Sequence, residues 1–267
     1  MKKVLAAALL CAVSSFATWD YFPVKDAGKG EAKVGASYFM QDKLSIIGLN
    51  AGARFSVIEG LEVALLMRGA GDAPSGFPLT SSYDGDSCEG DNCPPTFAQP
   101  SIGVRYWMPM GLGIALDVAL PFQGDALGGG DVTNLILTPA VQYSMKVNDM
   151  IELGSEVSFA IGLENGDKGG KYTPPMELGI GLELDFSLGS ITPFVGVDVD
   201  MQLSKEKYDG KDDFSPDTAT GIAPYVGAIF GINDMLAADV SVAFGIGEDY
   251  YGKEMPILIS ANLAINF

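Results

Sequence analysis

The chain has 267 residues, 48% of them hydrophobic, with 34 glycines, no histidine and a formal net charge of −18. So acidic a chain repels nucleic acid, which removes that partner class. The lack of histidine removes a Ser-His-Asp arrangement and any histidine-ligated metal.

At the start of the chain, Lys2 and Lys3 precede an apolar run from Val4 to Val13. Ser15-Phe16-Ala17 then puts small residues where a signal peptidase reads. This order predicts a cleaved secretory leader over 1–17. The run is too short for a transmembrane helix, which needs roughly 20 apolar residues. Cys11 lies deep in the run and follows Ala8-Leu9-Leu10, with no small residue next to it, so it does not read as a lipidation site. Residues 18–30 follow as an N-terminal periplasmic segment, and 31–267 carry the remaining pattern.

From about residue 31 apolar positions alternate with small or polar ones at period two, the mark of β-strands. Leu112 to Pro121 and Met176 to Leu188 show it. In Ile191 to Leu203 it is clearest, with Ile191, Val195, Val197, Val199, Met201 and Leu203 on one face and Thr192, Gly196, Asp198, Asp200 and Gln202 on the other. Runs of about ten residues suit tilted strands that cross a bilayer. The connections alternate in length. Short ones surround 58–60, 109–111, 147–149, 189–190 and 233–234, and longer acidic or glycine-rich ones surround 71–96, 123–132, 164–174, 204–218 and 247–254. Short periplasmic turns and longer outer loops give this asymmetry.

Each strand that enters a short turn carries an aromatic on its apolar face: Phe55, Tyr106, Tyr143, Phe186 and Phe230, with Phe267 ending the chain. Aromatics at one height form an interfacial girdle, here on the periplasmic side. Tyr38, Phe122, Tyr172, Tyr250 and Tyr251 mark a looser ring at the other mouth. Six descending strands with six ascending partners predict an all-β fold: a transmembrane antiparallel up-and-down β-barrel of twelve strands. A secreted sandwich or soluble barrel would turn its apolar face inward. The opposite face here is rich in Gly, Ala, Ser, Asn, Asp and Glu, which suits a wet lumen.

Sorting by strand parity sends Glu62, Asp117, Glu152, Glu156, Glu177, Glu183, Asp185, Asp198, Asp200 and Asp239 to the lumen, with the bases Lys33, Arg54, Arg68 and Arg105. The bases fall on the first four strands and all the acids but Glu62 on later ones. That predicts a positive wall facing a negative one, with an acid excess that favours cations. Were these groups to pair closely, they would plug a narrow barrel instead.

Cys88 and Cys93 sit in a polar loop of an exported chain, which favours a local disulfide. Asp84, Asp86, Glu89 and Asp91 beside them miss the helix-loop-helix calcium spacing, so a solvated loop is the reading there. Glu183 with Asp185, and Asp198 with Asp200, lie about 6.5 to 7 Å apart along their strands. That approaches the separation of an inverting glycosidase pair. Acids lining a wet lumen need only water and cations, so no catalytic residue, metal or cofactor is assigned. Gly179-Ile180-Gly181 is a fragment of a nucleotide fingerprint, but it lies within a strand and no helix follows.

The final strand, Ile257-Leu258-Ile259-Ser260-Ala261-Asn262-Leu263-Ala264-Ile265-Asn266-Phe267, resembles the C-terminal assembly signal of bacterial outer-membrane proteins, with Ile265 where an aromatic is frequent. The resemblance implies recognition by the barrel-assembly machinery. The hairpins Gly52-Ala53-Arg54-Phe55 through Leu61-Glu62-Val63 and Gly103-Val104-Arg105-Tyr106 through Ile114-Ala115-Leu116 resemble each other. They are also similar to small porin-type transporters, including the family linked to phenol meta-pathway degradation. These features lead to the expectation of a non-enzymatic channel in the outer membrane of a Gram-negative bacterium, surrounded by lipid and passing small hydrophilic solutes, cations preferred. The alternatives are a non-conducting barrel acting through its outer loops, and a channel for small apolar compounds with a lumen patch around Phe39, Leu66, Ile136 and Phe194.

Overall fold

The computed structural model describes residues 20–69, 77–83, 86–87, 98–121, 134–167, 170–212 and 218–267. The expected leader, the Cys88–Cys93 pair and Phe122 lie outside the described residues. The strands are β1 (Gly30–Gln41), β2 (Leu44–Ile58), β3 (Leu61–Gly69), β4 (Phe77–Tyr83), β5 (Asp86–Ser87), β6 (Ala98–Trp107), β7 (Leu112–Ala119), β8 (Ile136–Asn148) and β9 (Ile151–Gly162). There follow β10 (Asn165–Asp167), β11 (Gly170–Thr173), β12 (Glu177–Phe186), β13 (Ile191–Gln202), β14 (Lys207–Tyr208), β15 (Lys211–Asp212), β16 (Thr220–Asn233) and β17 (Leu236–Phe244). The short helix α1 (Glu248–Tyr251) then precedes β18 (Ile257–Asn266).

Twelve long strands each pair antiparallel with their neighbours, in the order β1-β2-β3-β6-β7-β8-β9-β12-β13-β16-β17-β18. β18 then pairs back onto β1, from Glu31 opposite Asn266 to Met40 opposite Ile257. Closure leaves no edge of unpaired backbone, which is the condition for a sheet to sit in hydrocarbon. The alternation read from the sequence sorts the two faces. Val34, Leu65, Ile102, Leu116, Val141, Val157, Leu182, Val195, Val226, Val240 and Leu263 are exposed on the outside. Ser56, Glu62, Ser101, Arg105, Gln142, Glu156 and Asp200 are buried within. This inverts the soluble arrangement and requires an apolar solvent around the barrel. No described helix is long and apolar enough to cross a membrane.

The short turns need special backbone geometry. Gly60, Gly111 and Gly189 sit at φ 78°, 83° and 79° in three of them, a region that costs other residues strain. In the other two, asparagine does the work. The Asn148 side-chain oxygen accepts the N–H of Met150 (2.8 Å) and Ile151 (3.0 Å), and that of Asn233 accepts the N–H of Met235 (2.9 Å). Of the six aromatics expected to form a girdle, five stand towards these turns and Phe267 ends the chain. Phe55, Tyr106, Tyr143, Phe230 and Phe267 are exposed and Phe186 half-buried.

The long connections are not structureless. β4 extends the wall beside the upper half of β2, from Leu44 opposite Tyr83 to Leu49 opposite Phe77. β10, β11, β14 and β15 make a separate four-stranded sheet. α1 packs Tyr250 and Tyr251 against Ala219. The strand ends are tighter than the alternation suggested: β7 stops at Ala119, β12 runs from Glu177 to Phe186, and β13 stops at Gln202.

Candidate functional site in the barrel lumen

The sequence presents residues 18–30 as a periplasmic segment, but Asp20, Tyr21 and Phe22 turn into the barrel. Arg54 on β2 donates from Nη1 to Asp20 Oδ2 (2.7 Å), and Arg105 on β6 donates from Nη1 to Asp20 Oδ1 (3.0 Å). The Asp20 carbonyl accepts from Arg105 Nη1 and from Gln142 Nε2 on β8, both at 2.8 Å. Arg105 Nη1 also reaches the Phe22 carbonyl at 3.2 Å. On the far side Tyr21, 2% exposed, donates its hydroxyl to Asp198 Oδ1 on β13 at 2.5 Å. The segment therefore spans the lumen, clasped at both walls.

Glycine makes the room for it. A Cβ on Gly181 of β12 would lie 2.3 Å from the Tyr21 hydroxyl, and one on Gly154 of β9 would lie 2.8 Å from Tyr21 Cβ. Gly154 pairs with Glu183 and Gly181 with Glu156, so the two notches are diagonal neighbours on one wall. Burial by itself would raise the Asp20 carboxyl, but the guanidiniums of Arg54 and Arg105 outweigh it and hold it well below the ordinary carboxylate range. Burial and the nearby Asp198 carboxylate push the Tyr21 phenol well up, so it stays a donor. Outside the clasp, Lys25 ties the segment to Glu31 (3.1 Å) and Asn266 (2.8 Å), and the Gly28 N–H donates to the Ser56 carbonyl (2.7 Å).

The remaining sequence-selected residues fall into two groups. Around the arginines, Glu62 lies 2.6 Å from Arg105 and 3.9 Å from Arg54, while Glu31 lies 3.4 Å from Arg54. Lys33 sits 3.9 Å from Glu31 and 3.6 Å from Asp239. The picture of a positive wall facing a negative one is therefore too simple, because Asp20, Glu31 and Glu62 offset the bases where they stand. Glu31 shares its strand parity with Lys33, a signal the sorting overlooked. Gln142 likewise shares the inward parity of Ala140 and Ser144 but carries no charge, whereas Asp20 and Tyr21 have no comparable signal. Arg68 lies on β3 opposite Gln99, and its side chain is outside the described part.

The second group is acidic. Glu177 on β12 and Asp198 and Asp200 on β13 are buried, while Glu183 and Asp185 are half-buried. Among the described residues, no ion pair reaches any of these five. Between the groups, Glu152 accepts from Ser144 (2.8 Å) and Glu156 from Gln142 (3.0 Å). Asp117 is buried beside Gly103. The apolar candidates are scattered. Phe39 packs with Leu44 and Ile46, and Phe194 meets Tyr225 edge-on at 6.2 Å. Leu66 and Ile136 are half-buried on β3 and β8.

No protein-family model matches the sequence, and no curated protein is detectably similar to it. Solved structures are. An outer-membrane channel from Pseudomonas putida F1 aligns with a TM-score of 0.68 at 11% identity, over 95% of this chain and 100% of that one. The NanC porin aligns at 0.53 and 10% identity, over 88% of this chain and 98% of the other. The translocator domain of the autotransporter NalP from Neisseria meningitidis aligns at 0.50 and 12% identity, over 91% and 90%. Identities this low speak for architecture alone, and NalP shows that the architecture serves more than one task. The chain is an antiparallel transmembrane β-barrel of the bacterial outer-membrane kind.

Proposed function

We propose that this barrel is a channel for passive diffusion of small hydrophilic solutes through the outer membrane, with a preference for cations, narrowed from the periplasmic side by its own N-terminal segment. The observation that carries the reading is the run of acids Glu177, Glu183, Asp185, Asp198 and Asp200 on β12 and β13, reached by no described ion pair. Carboxylates along a low-dielectric wall concentrate cations. The apolar outer face supports a place in lipid, and the strand ending at Phe267 supports delivery by the barrel-assembly machinery. Leader cleavage after Ala17 and the Cys88–Cys93 disulfide belong to the same reading and rest on sequence.

Reversal potentials in planar bilayers across a KCl gradient test it. The wild type should show a potential of the sign for potassium, and Asp198→Asn/Asp200→Asn should move it toward zero. Anion preference would sink the cation reading. Silence in the wild type and also in Asp20→Ala/Tyr21→Ala would sink the channel.

A further inference from the structure

We infer that the lumenal site filled by Asp20 and Tyr21 is a binding site for small aromatic carboxylates that carry a ring hydroxyl, with the segment standing in for such a ligand. The inference deepens the channel reading, since it names a solute class that would pause in the passage. Three strands contribute donors to one residue: Arg54 from β2, Arg105 from β6 and Gln142 from β8 converge on the carboxylate and carbonyl of Asp20 at 2.7 to 3.0 Å. Two guanidiniums form a carboxylate clamp, and the Gln142 carboxamide holds the carbonyl beside it. A mere stopper would need bulk, and neither this clamp nor a hydroxyl acceptor.

Across the lumen Asp198 takes the ring hydroxyl at 2.5 Å. Between clamp and acceptor the wall is thinned at Gly181, where any side chain would collide with the ring and its hydroxyl, and at Gly154, where it would collide with Tyr21 Cβ and the Phe22 ring. The site therefore specifies three things in order: an anion, a flat ring, and a donor on the ring's far side. A hydrocarbon ring would leave Arg105 and Asp198 without those hydrogen bonds, which is how polar sites reject apolar analogues. The occupant can leave without opening the barrel, because Asp20, Tyr21 and Phe22 precede β1 and take no part in the twelve-stranded ladder. A tethered occupant competes at an effective concentration in the millimolar range, so a free ligand must displace it.

The test uses full-length protein in detergent, titrated calorimetrically with 3-(4-hydroxyphenyl)propionate, 3-phenylpropionate and 4-ethylphenol. In Asp20→Ala/Tyr21→Ala, the hydroxyphenyl acid should bind about tenfold more tightly than either partial analogue, the worth of one hydrogen bond to a charged group. It should also bind more tightly than to wild type. Asp198→Asn should erase the preference over phenylpropionate, and Arg105→Gln the preference over ethylphenol. If the alanine pair does not fold, Asp20→Asn/Tyr21→Phe keeps the volume while removing the charge on the clamp and the ring hydroxyl on Asp198, which weakens the tether. Equal binding of the three probes, or none, overturns the inference. Conductance measured on the same variant separates the two readings: current without selective binding leaves the channel and removes the site, while selective binding without current does the reverse.

Discussion

Asp20 and Tyr21 depend on positions that offer no chemistry of their own. Gly181 yields the space that the Tyr21 hydroxyl fills, so Gly181→Ala should expel the ring while leaving the ladder intact. Limited trypsinolysis reads this directly, since Lys25 and Lys29 lie just beyond the clasp. Cleavage there should quicken in the variant, and an unchanged rate would mean that the segment is held elsewhere. The charge of Asp20 gives a second handle. Its folded pKa lies below the unfolded value, so its contribution to docking is complete above about pH 4 and fades as pH falls further, toward the folded value. Wild type and Asp20→Asn should therefore differ in current at neutral pH and converge only in stronger acid. Convergence already near neutrality would remove Asp20 from the clasp. Parity already turns Arg54, Arg105 and Asp198 into the lumen, but the segment they hold was not readable from the chain, because residues 20–29 show no alternation and their partners lie on strands up to 241 positions away.

The turns between elements were readable, because the backbone geometry they need selects Gly or Asn. They differ in how much room they leave. Gly60 and Gly189 share nearly the same φ, 78° and 79°, but a Cβ at Gly60 would lie 2.6 Å from the Trp107 carbonyl oxygen while Gly189 has open space. Gly189→Ala should cost about 1 kcal/mol for the left-handed backbone alone. Gly60→Ala should cost about 2 kcal/mol or more, because backbone must also move. Urea unfolding in detergent compares them, and equal losses would mean that the turn at Gly60 relaxes freely. The long strands were equally plain from period two. The short pieces β10, β11, β14 and β15 were not, because two to four residues are too few for a period to show, and they read only as acidic, glycine-rich connections.

At the scale of the molecule, one seam decides whether the sheet is a barrel. Gly30 and Phe267 exchange two backbone hydrogen bonds, Gly30 N–H to the Phe267 carbonyl at 2.8 Å and Phe267 N–H to the Gly30 carbonyl at 3.1 Å. The Phe267 ring covers the face where a side chain at Gly30 would stand. Phe267→Ala should cost about 1 kcal/mol, roughly half the value for burying such a ring fully, because 55% of the residue stays exposed. Heat-modifiable mobility on a gel would show the lowered melting point, and no shift would mean that the ladder alone holds the seam. The aromatic that the sequence offered as a girdle member thus also locks the closure, a role visible only once β18 and β1 are seen side by side.

The N-terminal clasp bears on the order in which the protein is made. Arg54 and Asp198 stand on strands separated by most of the sequence, and only a finished ring brings them across from each other. Asp20 and Tyr21 precede every strand of the ring, yet their joint berth exists only when the ring is complete. Docking should therefore follow closure: trypsin is expected to cut at Lys25 and Lys29 before β18 has found β1, and more slowly once the seam is made.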